Sequence, residues 1–439
     1  MTGAASDIRE RLLARLSEEP GQFISGEVLS REMAMTRAAV WKHMRALRQD
    51  GWPLQCVTRR GYRIPAGRML PYSAAGIRFA LRFEEFGGFG ADLENSGNTA
   101  GVWEKGITGN KGRPLNLAVD GNRPDSGAMD WRIAFLEKTD STSSRMKELA
   151  AQDAPEGTVL FAEEQSGGRG RMGRNWSSRR GMGIWMSVLL RPEMAPDQVQ
   201  SITLAVSVAV VETLRAFISE VLSETDSTAK ESLSGSIGIK WPNDIWQNGK
   251  KICGILTELA AEPEKLSHVI IGIGINVFQS IEDFPPELQS TATSLRLMLS
   301  AGSPVETLRG TGATTVRPDA KKVCDTGTIA ARTDAELLYD TGTAAEIPES
   351  GPILDRNRLA ALLLKHLSGI ISEHRHEGMP GILQRWRAAS VTLGREIRVA
   401  DPVSPWNAQA VDVAEDGRLV VERPDGTRTY LLSGEISIR

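Results

Sequence analysis

Cysteine is scarce in this chain: Cys56, Cys253 and Cys324 are the three in 439 residues. They are odd in number, far apart and form no Cys-x-x-Cys pair, so neither a disulfide framework nor a zinc site is indicated. No basic-then-apolar leader opens the sequence, and no apolar run approaches the ~18 residues that span a bilayer. A soluble, cytoplasmic protein without membrane contact is the expectation. An excess of one charge sign is also missing. The formal net charge is −3, which does not mark the whole chain as a nucleic-acid binder, so any such role must be local. What is present is apolar sequence, 41% of the chain, enough for two or three domains with cores.

Residues 1–65 read as a small helical domain with a hairpin. Ser6 can cap a helix carrying Ile8, Leu12, Leu13 and Leu16 on one face. A short helix fits 26–33, and Thr36 can cap a third in which Val40, Met44 and Leu47 share a face. The opposite side presents Arg37, Trp41, Lys42, Arg45 and Arg48, which is the helix-turn-helix pattern. Arg59-Arg60-Gly61 suits the tip of a wing lying against phosphates. This segment holds 11 Lys/Arg against 7 Asp/Glu, a local charge of +4. A basic helix face can simply be solvated; the arginine-tipped hairpin favours DNA, with Arg37, Trp41, Lys42, Arg45, Arg59 and Arg60 as contacts.

Residues 66–390 read as an α+β domain built on one mixed sheet. Residues 66–83 are a linker and a helix start. Expected strands are 131–136, 158–163, 183–190, 237–240, 251–259 and 268–276; expected helices are 140–151, 197–222, 354–373 and 381–390. Residues 84–129 hold 10 glycines in 46 positions and sustain no period, so they read as a mobile insertion without a fold of its own. Ser/Glu/Thr-rich 223–236 and Thr/Gly/Asp-rich 301–350 are similar in composition and read as further flexible insertions, either disordered on the surface or ordered decoration. From 391 to 439 the pattern becomes short strands at 396–400, 409–413, 419–422, 429–432 and 435–438, separated by Asp-Gly turns. That suits a small, SH3-like β-barrel.

Three stretches carry chemistry. Gly168-Arg169-Gly170-Arg171-Met172-Gly173-Arg174-Asn175-Trp176 combines close-approach glycines with arginine forks. It can wrap a nucleotide anion, or be a solvated basic loop. Lys240-Trp241-Pro242-Asn243-Asp244 breaks a strand with polar groups at its end. Lys251 then starts the returning strand, aimed at the same end, whereas Lys250 reads as an ordinary turn lysine. Gly272-Ile273-Gly274-Ile275-Asn276 suggests a dinucleotide fingerprint, but the third glycine and the following helix are missing, so a Rossmann site is rejected. Asn276 can bond a nucleotide or cap its own turn. No Cys-His or Ser-His nucleophile pattern is present, and His374 and His376 read as surface histidines.

These segments, with Asp140-Ser141-Thr142-Ser143, Lys251–Leu256 and Gly434-Glu435-Ile436-Ser437, resemble the bifunctional biotin–protein ligases that also repress the biotin operon. The resemblance covers most of the chain outside the insertions. It implies ATP-dependent formation of biotinyl-5'-adenylate and transfer of biotin to a lysine of a biotin carboxyl carrier protein. It further implies binding to operator DNA and a ligand-promoted homodimer. Mg²⁺ would arrive with ATP, with no protein-held metal. By the resemblance, Ser141, Thr142, Ser143, Gln165, Arg169, Gly170, Arg171 and Lys251 bind biotin or its acyl-phosphate, and Arg169, Arg171 and Lys251 carry the catalysis. Arg174, Trp176, Asn243, Asn276 and Arg439 lie around the nucleotide. Relatives usually have Asn at Ser143 and often Arg at Met172, which leaves the roles of those two side chains open. Two rivals are a biotin-sensing repressor without ligase activity and a lipoate or octanoate ligase on a related fold. The intact arginine loop argues against the first, and Lys-Trp-Pro-Asn-Asp against the second.

Overall fold

The structure, a computed structural model, describes residues 8–9, 11–13, 15–16, 21–65, 70–85, 108–109, 113–114, 118–119, 129–222, 227–261, 266–302, 354–400, 404–432 and 436–438. Ser6 lies outside them, so its capping role cannot be followed, but the described residues between 8 and 16 are helical and Leu12, Leu13 and Leu16 are buried. Helix α1 (Gly26–Glu32) starts at Ser25, whose hydroxyl accepts from the Val28 N–H. Helix α2 (Arg37–Gln49) starts at Thr36, whose hydroxyl accepts from Ala39 N at 3.2 Å. Each cap satisfies a backbone donor that the first turn leaves open. Val40, Met44 and Leu47 pack with Leu29, Trp52 and Ile64 into one small core. Strands β1 (Gln55–Val57) and β2 (Gly61–Arg63) form the hairpin, with Gln55 opposite Arg63. The helix-turn-helix expectation is met, a hairpin follows it as expected, and the helix-capping Thr36 was legible.

Helix α3 (Ala74–Glu85) ties this unit to the rest. Leu70 and Ala75 belong to the winged-helix core, while Ala74 and Ile77 belong to the central one. The Asn357 side chain clamps the connection: its Nδ2 donates to Leu70 O at 2.9 Å, and its Oδ1 accepts from Ser73 N at 3.3 Å.

Within 84–129, expected to have no fold, residues 84–85 end α3 and three two-residue strands follow: β3 (Thr108–Gly109) pairs with β4 (Arg113–Pro114), and β5 (Ala118–Val119) pairs with the main sheet. The main sheet continues with β6 (Arg132–Leu136), β7 (Thr158–Ala162), β8 (Gly183–Leu190), β9 (Ile237–Lys240), β10 (Asp244–Gln247), β11 (Lys250–Ala261) and β12 (Leu266–Asn276). Their order is β5-β6-β7-β8-β12-β11-β10-β9; β6 and β7 run parallel and the other pairs antiparallel, so the sheet is mixed as expected. Helix α4 (Thr142–Ala151) covers one face. Helix α5 (Val199–Val221), α6 (Ser227–Gly235), α7 (Leu295–Gly302), α8 (Arg356–His376) and α9 (Pro380–Ala389) pack elsewhere around the sheet. The segment Pro196–Val221 is, among the described residues, the one long and apolar enough to cross a membrane; it is a mostly buried core element packed on α8.

Two expectations need correction. The polar turn between 240 and 251 contains β10, which pairs with β9 on one side and β11 on the other. Of the two readings of 223–236, the flexible one gives way to the ordered one over α6, where Leu233 is buried in the central core and outweighs the Ser-rich composition around it. Residues 303–350 fall outside the described residues.

The C-terminal unit is a five-stranded antiparallel sheet of β13 (Glu396–Val399), β14 (Trp406–Val413), β15 (Leu419–Glu422), β16 (Arg428–Leu431) and β17 (Ile436–Ile438), ordered β16-β15-β14-β13-β17. Ile397, Ala408, Ala410, Leu419 and Ile436 join the central core. Trp241 pins the two units: its backbone N–H donates to Thr392 Oγ1 at 2.9 Å and its indole N–H to Gly417 O at 3.1 Å.

Candidate active site

The two-residue period of a strand sends alternate side chains to opposite faces of the sheet. On β12, Val269, Ile271, Ile273 and Ile275 enter the central core, leaving Gly272, Gly274 and Asn276 on the α4 face. On β8, Ile184, Met186 and Val188 do the same, leaving Trp185, Ser187 and Leu189 toward α4. The α4 face therefore carries almost no side-chain bulk at 272 and 274, and a cavity of about 580 Å³ opens there. Its shape depends on those glycines. A Cβ at 274 would lie 2.6 Å from Trp176 ring atoms, and one at 272 would lie 2.8 Å from Ser143 Oγ.

The neutral end of the cavity is set by the start of α4. Ser141 is the N-cap, its hydroxyl accepting from Ser144 N at 3.4 Å. The Gln165 Oε1 accepts from Thr142 N at 2.7 Å and from Thr142 Oγ1 at 3.1 Å. Its Nε2 donates to Ser178 Oγ at 2.8 Å, and Ser178 Oγ donates to Trp176 O at 3.2 Å. Below them Ser187 Oγ lies 2.8 Å from Thr142 Oγ1 and 3.1 Å from Ser143 Oγ.

The charged end comes from the arginine loop and from β10 and β11. Lys251 Nζ is 2.7 Å from Asp244 Oδ1 and sits over the Trp176 ring, 5.2 Å from its centre. Its backbone is fixed by Lys251 N donating to Thr291 O and by Thr293 N donating to Lys251 O. Arg171 Nη1 donates to Asn243 Oδ1 at 3.0 Å, and Asn243 Nδ2 donates to Ile255 O at 2.6 Å. Arg169 pairs with Glu258 at 2.9 Å, and Lys147 pairs with the other oxygen of the same carboxylate at 2.8 Å. The Trp176 indole N–H is buried with no hydrogen-bond partner among the described residues. Burial pushes the Cys253 thiol far above its usual range, more than the neighbouring Lys251 can offset, so it stays protonated and is no nucleophile.

Ser141, Thr142, Ser143, Gln165, Arg169, Gly170, Arg171, Arg174, Trp176, Asn243, Lys251 and Asn276 all border this one cavity. They come from five separate stretches of sequence. Asn276 does more than border it: its Nδ2 donates to Thr293 O at 3.0 Å and its Oδ1 accepts from Gln279 Nε2 at 3.0 Å, so it also ties the strand end to the following segment. Arg439 lies outside the described residues, although Ile436, Ser437 and Ile438 just before it border the cavity. Sequence reasoning passed over Ser187 and Glu258 and, although it singled out the stretch ending in Asp244, gave that carboxylate no role. A lone serine in the apolar run Gly183–Leu190 was the available signal for the first; nothing local pointed to the partners of the other two. His374 is half-buried rather than on the surface, with Nε2 3.0 Å from Ser201 Oγ, while His376 is exposed. Among the described residues no group of His, Cys, Asp and Glu gathers with metal-ligand geometry.

The other candidate surface is separate. Arg37, Trp41, Lys42 and Arg45 are exposed on the outer face of α2, with Arg45 over the Trp41 ring at 5.5 Å. Arg59 and Arg60 are exposed at the hairpin turn, where Arg60 lies over the Phe23 ring at 4.9 Å.

Comparison with known proteins agrees segment by segment. A family model described as "Biotin/lipoate A/B protein ligase family" matches residues 135–276, one described as "HTH domain" matches 8–63, and one described as "Biotin protein ligase C terminal domain" matches 392–439. The chain is 36% identical over 292 residues to the bifunctional ligase/repressor BirA of Bacillus spizizenii, covering 66% of this chain and 71% of that protein. It is 24% identical over 436 residues to the protein of the same description from Escherichia coli, covering 98% and 96%. Among solved structures it is similar to the biotin protein ligase from Aquifex aeolicus in complex with biotin and ATP, at 24% identity and a TM-score of 0.46, covering 70% of this chain and 98% of that one.

Proposed function

The chain belongs to the family of bifunctional biotin–protein ligases and repressors, and from that premise we propose how its residues divide the work. The protein activates biotin with ATP to biotinyl-5'-adenylate, transfers biotin to a lysine of a biotin carboxyl carrier protein, and binds DNA as a repressor through its helix-turn-helix domain. The observation that carries the assignment of roles is the convergence of Thr142, Gln165, Arg169, Arg171, Asn243 and Lys251 on one cavity.

In the first step a biotin carboxylate oxygen bonds to the α-phosphorus of ATP as the α–β bridging P–O bond breaks and pyrophosphate leaves. Both reactants are anions. Arg169, Arg171 and Lys251 offset their repulsion and the charge that grows on the phosphoryl oxygens. The start of α4 holds the ureido ring, with Ser141, Thr142, Ser143 and Gln165 supplying the polar contacts. Trp176, Asn243, Asn276 and Arg174 face the nucleotide, and Arg439 follows the β17 strand that borders it. Mg²⁺ enters as part of the MgATP substrate and needs no protein cage. In the second step the acceptor amine attacks the acyl carbon, forming an amide and releasing AMP. The Gly168–Trp176 loop keeps water from the mixed anhydride meanwhile.

Three finer readings belong with this. The C-terminal strands, short and joined by tight turns, form an SH3-like barrel that helps close the nucleotide end. The location is cytoplasmic, where acceptor, ATP and DNA meet. The repressor is a dimer promoted by the adenylate, because one recognition helix reads only a half-site. Purified protein incubated with biotin, MgATP and a carrier-protein acceptor tests the central reading. Mass spectrometry should find the adenylate, and biotin on the acceptor lysine. Lipoate or octanoate transfer in preference to biotin would overturn it.

A further inference from the structure

We propose that Ser187, which does not itself border the cavity, fixes the direction of the hydroxyl protons beneath the floor and so makes that floor select ligands that donate N–H groups. The role rests on the biotin reading of the cavity and adds what separates biotin from an acyl chain without nitrogen.

The direction follows from the donors available. A backbone N–H can only donate, so the Gln165 atom 2.7 Å from Thr142 N is the amide oxygen. That oxygen also lies 3.1 Å from Thr142 Oγ1, and having no proton it accepts, so the Thr142 hydroxyl donates. The single proton of Thr142 is then used. Its 2.8 Å contact with Ser187 Oγ must be donated by Ser187. The single proton of Ser187 is used in turn, so the 3.1 Å contact with Ser143 Oγ must be donated by Ser143. The chain runs Ser143 to Ser187 to Thr142 to Gln165, every proton pointing inward. The far side of Gln165 is fixed as well, through Ser178 to the Trp176 carbonyl. Ser187 is fully buried and Thr142 and Ser143 nearly so, which makes any unpaired member costly.

Thr142 and Ser143 border the cavity, yet their protons are committed elsewhere. What they show the ligand is oxygen lone pairs. A ureido ring has two N–H groups to give them; an alkanoyl chain or a dithiolane ring has none. Gly272 belongs to the same device, because its missing Cβ leaves the Ser143 hydroxyl its place.

The test is calorimetric titration of the full chain, without ATP, with biotin and with a carbamate analogue in which one ureido N–H is replaced by ring oxygen. The wild-type chain should prefer biotin at least tenfold. In Ser187→Ala the Ser143 proton is released toward the ligand, and the preference should shrink by roughly tenfold. Ser143→Ala should shrink it similarly, and the double variant should add little beyond either single one, because they act through one chain. Ser143→Ala lies at the cavity wall and keeps the test open if Ser187→Ala does not fold. The ratio of two affinities is the readout, since a packing defect would weaken both ligands together. A preference unchanged in either variant overturns the proton-direction role alone. Failure of the wild-type chain to bind biotin overturns the biotin reading and this role with it.

Discussion

Lys251 and Lys250 are adjacent in sequence but are expected to differ sharply in what they contribute. Lys251 borders the cavity and its ammonium lies over Trp176; Lys250 does not border it, since neighbours on a strand face opposite ways. A unit charge about 4 Å from a phosphate, at an effective dielectric of about 20, contributes about 4 kcal/mol. Asp244, 2.7 Å from the same ammonium, cancels part of this in the resting site. About 3 kcal/mol is then left for the transition state, which corresponds to ~10²-fold in rate. Lys251→Ala should therefore slow adenylate formation by ~10²-fold or more, measured as biotin-dependent pyrophosphate release. Lys250→Ala should change it by less than about threefold. Two hydrogen bonds from the 291–293 segment hold the backbone at 251, so the substitution should leave the strand in place, and unchanged circular dichroism checks that. Equal losses at both lysines, or a small loss at Lys251, would refute the assignment of charge to that position.

Gly274→Ala would put a methyl group 2.6 Å from the Trp176 ring, and displacing a packed ring costs about 1–3 kcal/mol. The KM for ATP should rise by roughly tenfold or more, and an unchanged KM would detach the glycine from the nucleotide end. Arg45→Ala should weaken operator binding and lower the slope of log affinity against log salt by about 1, as for a lost phosphate contact. Operator binding should also tighten with biotin and ATP together as a dimer forms in sedimentation; a monomer with unchanged affinity would remove the coupling. Burial holds the His374 imidazole below its ordinary value of about 6.5, with Arg375 adding to the effect. The folded chain then binds fewer protons there than the unfolded one, so the stability from His374 is full above about pH 6.5 and is lost as pH falls below it. Thermal melts of His374→Gln between pH 7.5 and 5.5 should show a flatter pH dependence than wild type, and an equal slope would discard that source.

What could be read from the sequence was what a single segment encodes by itself. Thr36 followed by Val40, Met44 and Leu47 carries both a cap and a period, and α2 formed there. The long apolar stretch of α5 and the short apolar run of β8, buried along its whole length, were equally self-contained. The misses share the opposite property. Strand β10 is four residues long and acquires its identity from pairing with two neighbours, one of them reached only after the turn at Asn248-Gly249. Helix α6 is Ser-rich and weakly amphipathic, and its place depends on Leu233 finding a core built by distant helices. Glu258 meets Arg169 across 89 positions of sequence, so no local spacing could have paired them.

The Gly272-x-Gly274 stretch shows how a motif can be rightly refused and still matter. A dinucleotide fold was excluded because the third glycine and the helix were missing, and β12 is indeed an antiparallel strand ending in a loop. The glycines are explained by their neighbours instead. One clears the Trp176 ring and the other clears the Ser143 hydroxyl, side chains that arrive from the arginine loop and from α4. The same strand thus makes room at one position for the Trp176 ring and, two residues earlier, for the Ser143 hydroxyl. A strand with side chains at both positions would keep its core face of Val269, Ile271, Ile273 and Ile275 but would press on Trp176 and Ser143. It would lose the cavity. The alternation that builds the core therefore also opens the cavity on the opposite face, and the spacing of two residues is the period of the strand itself.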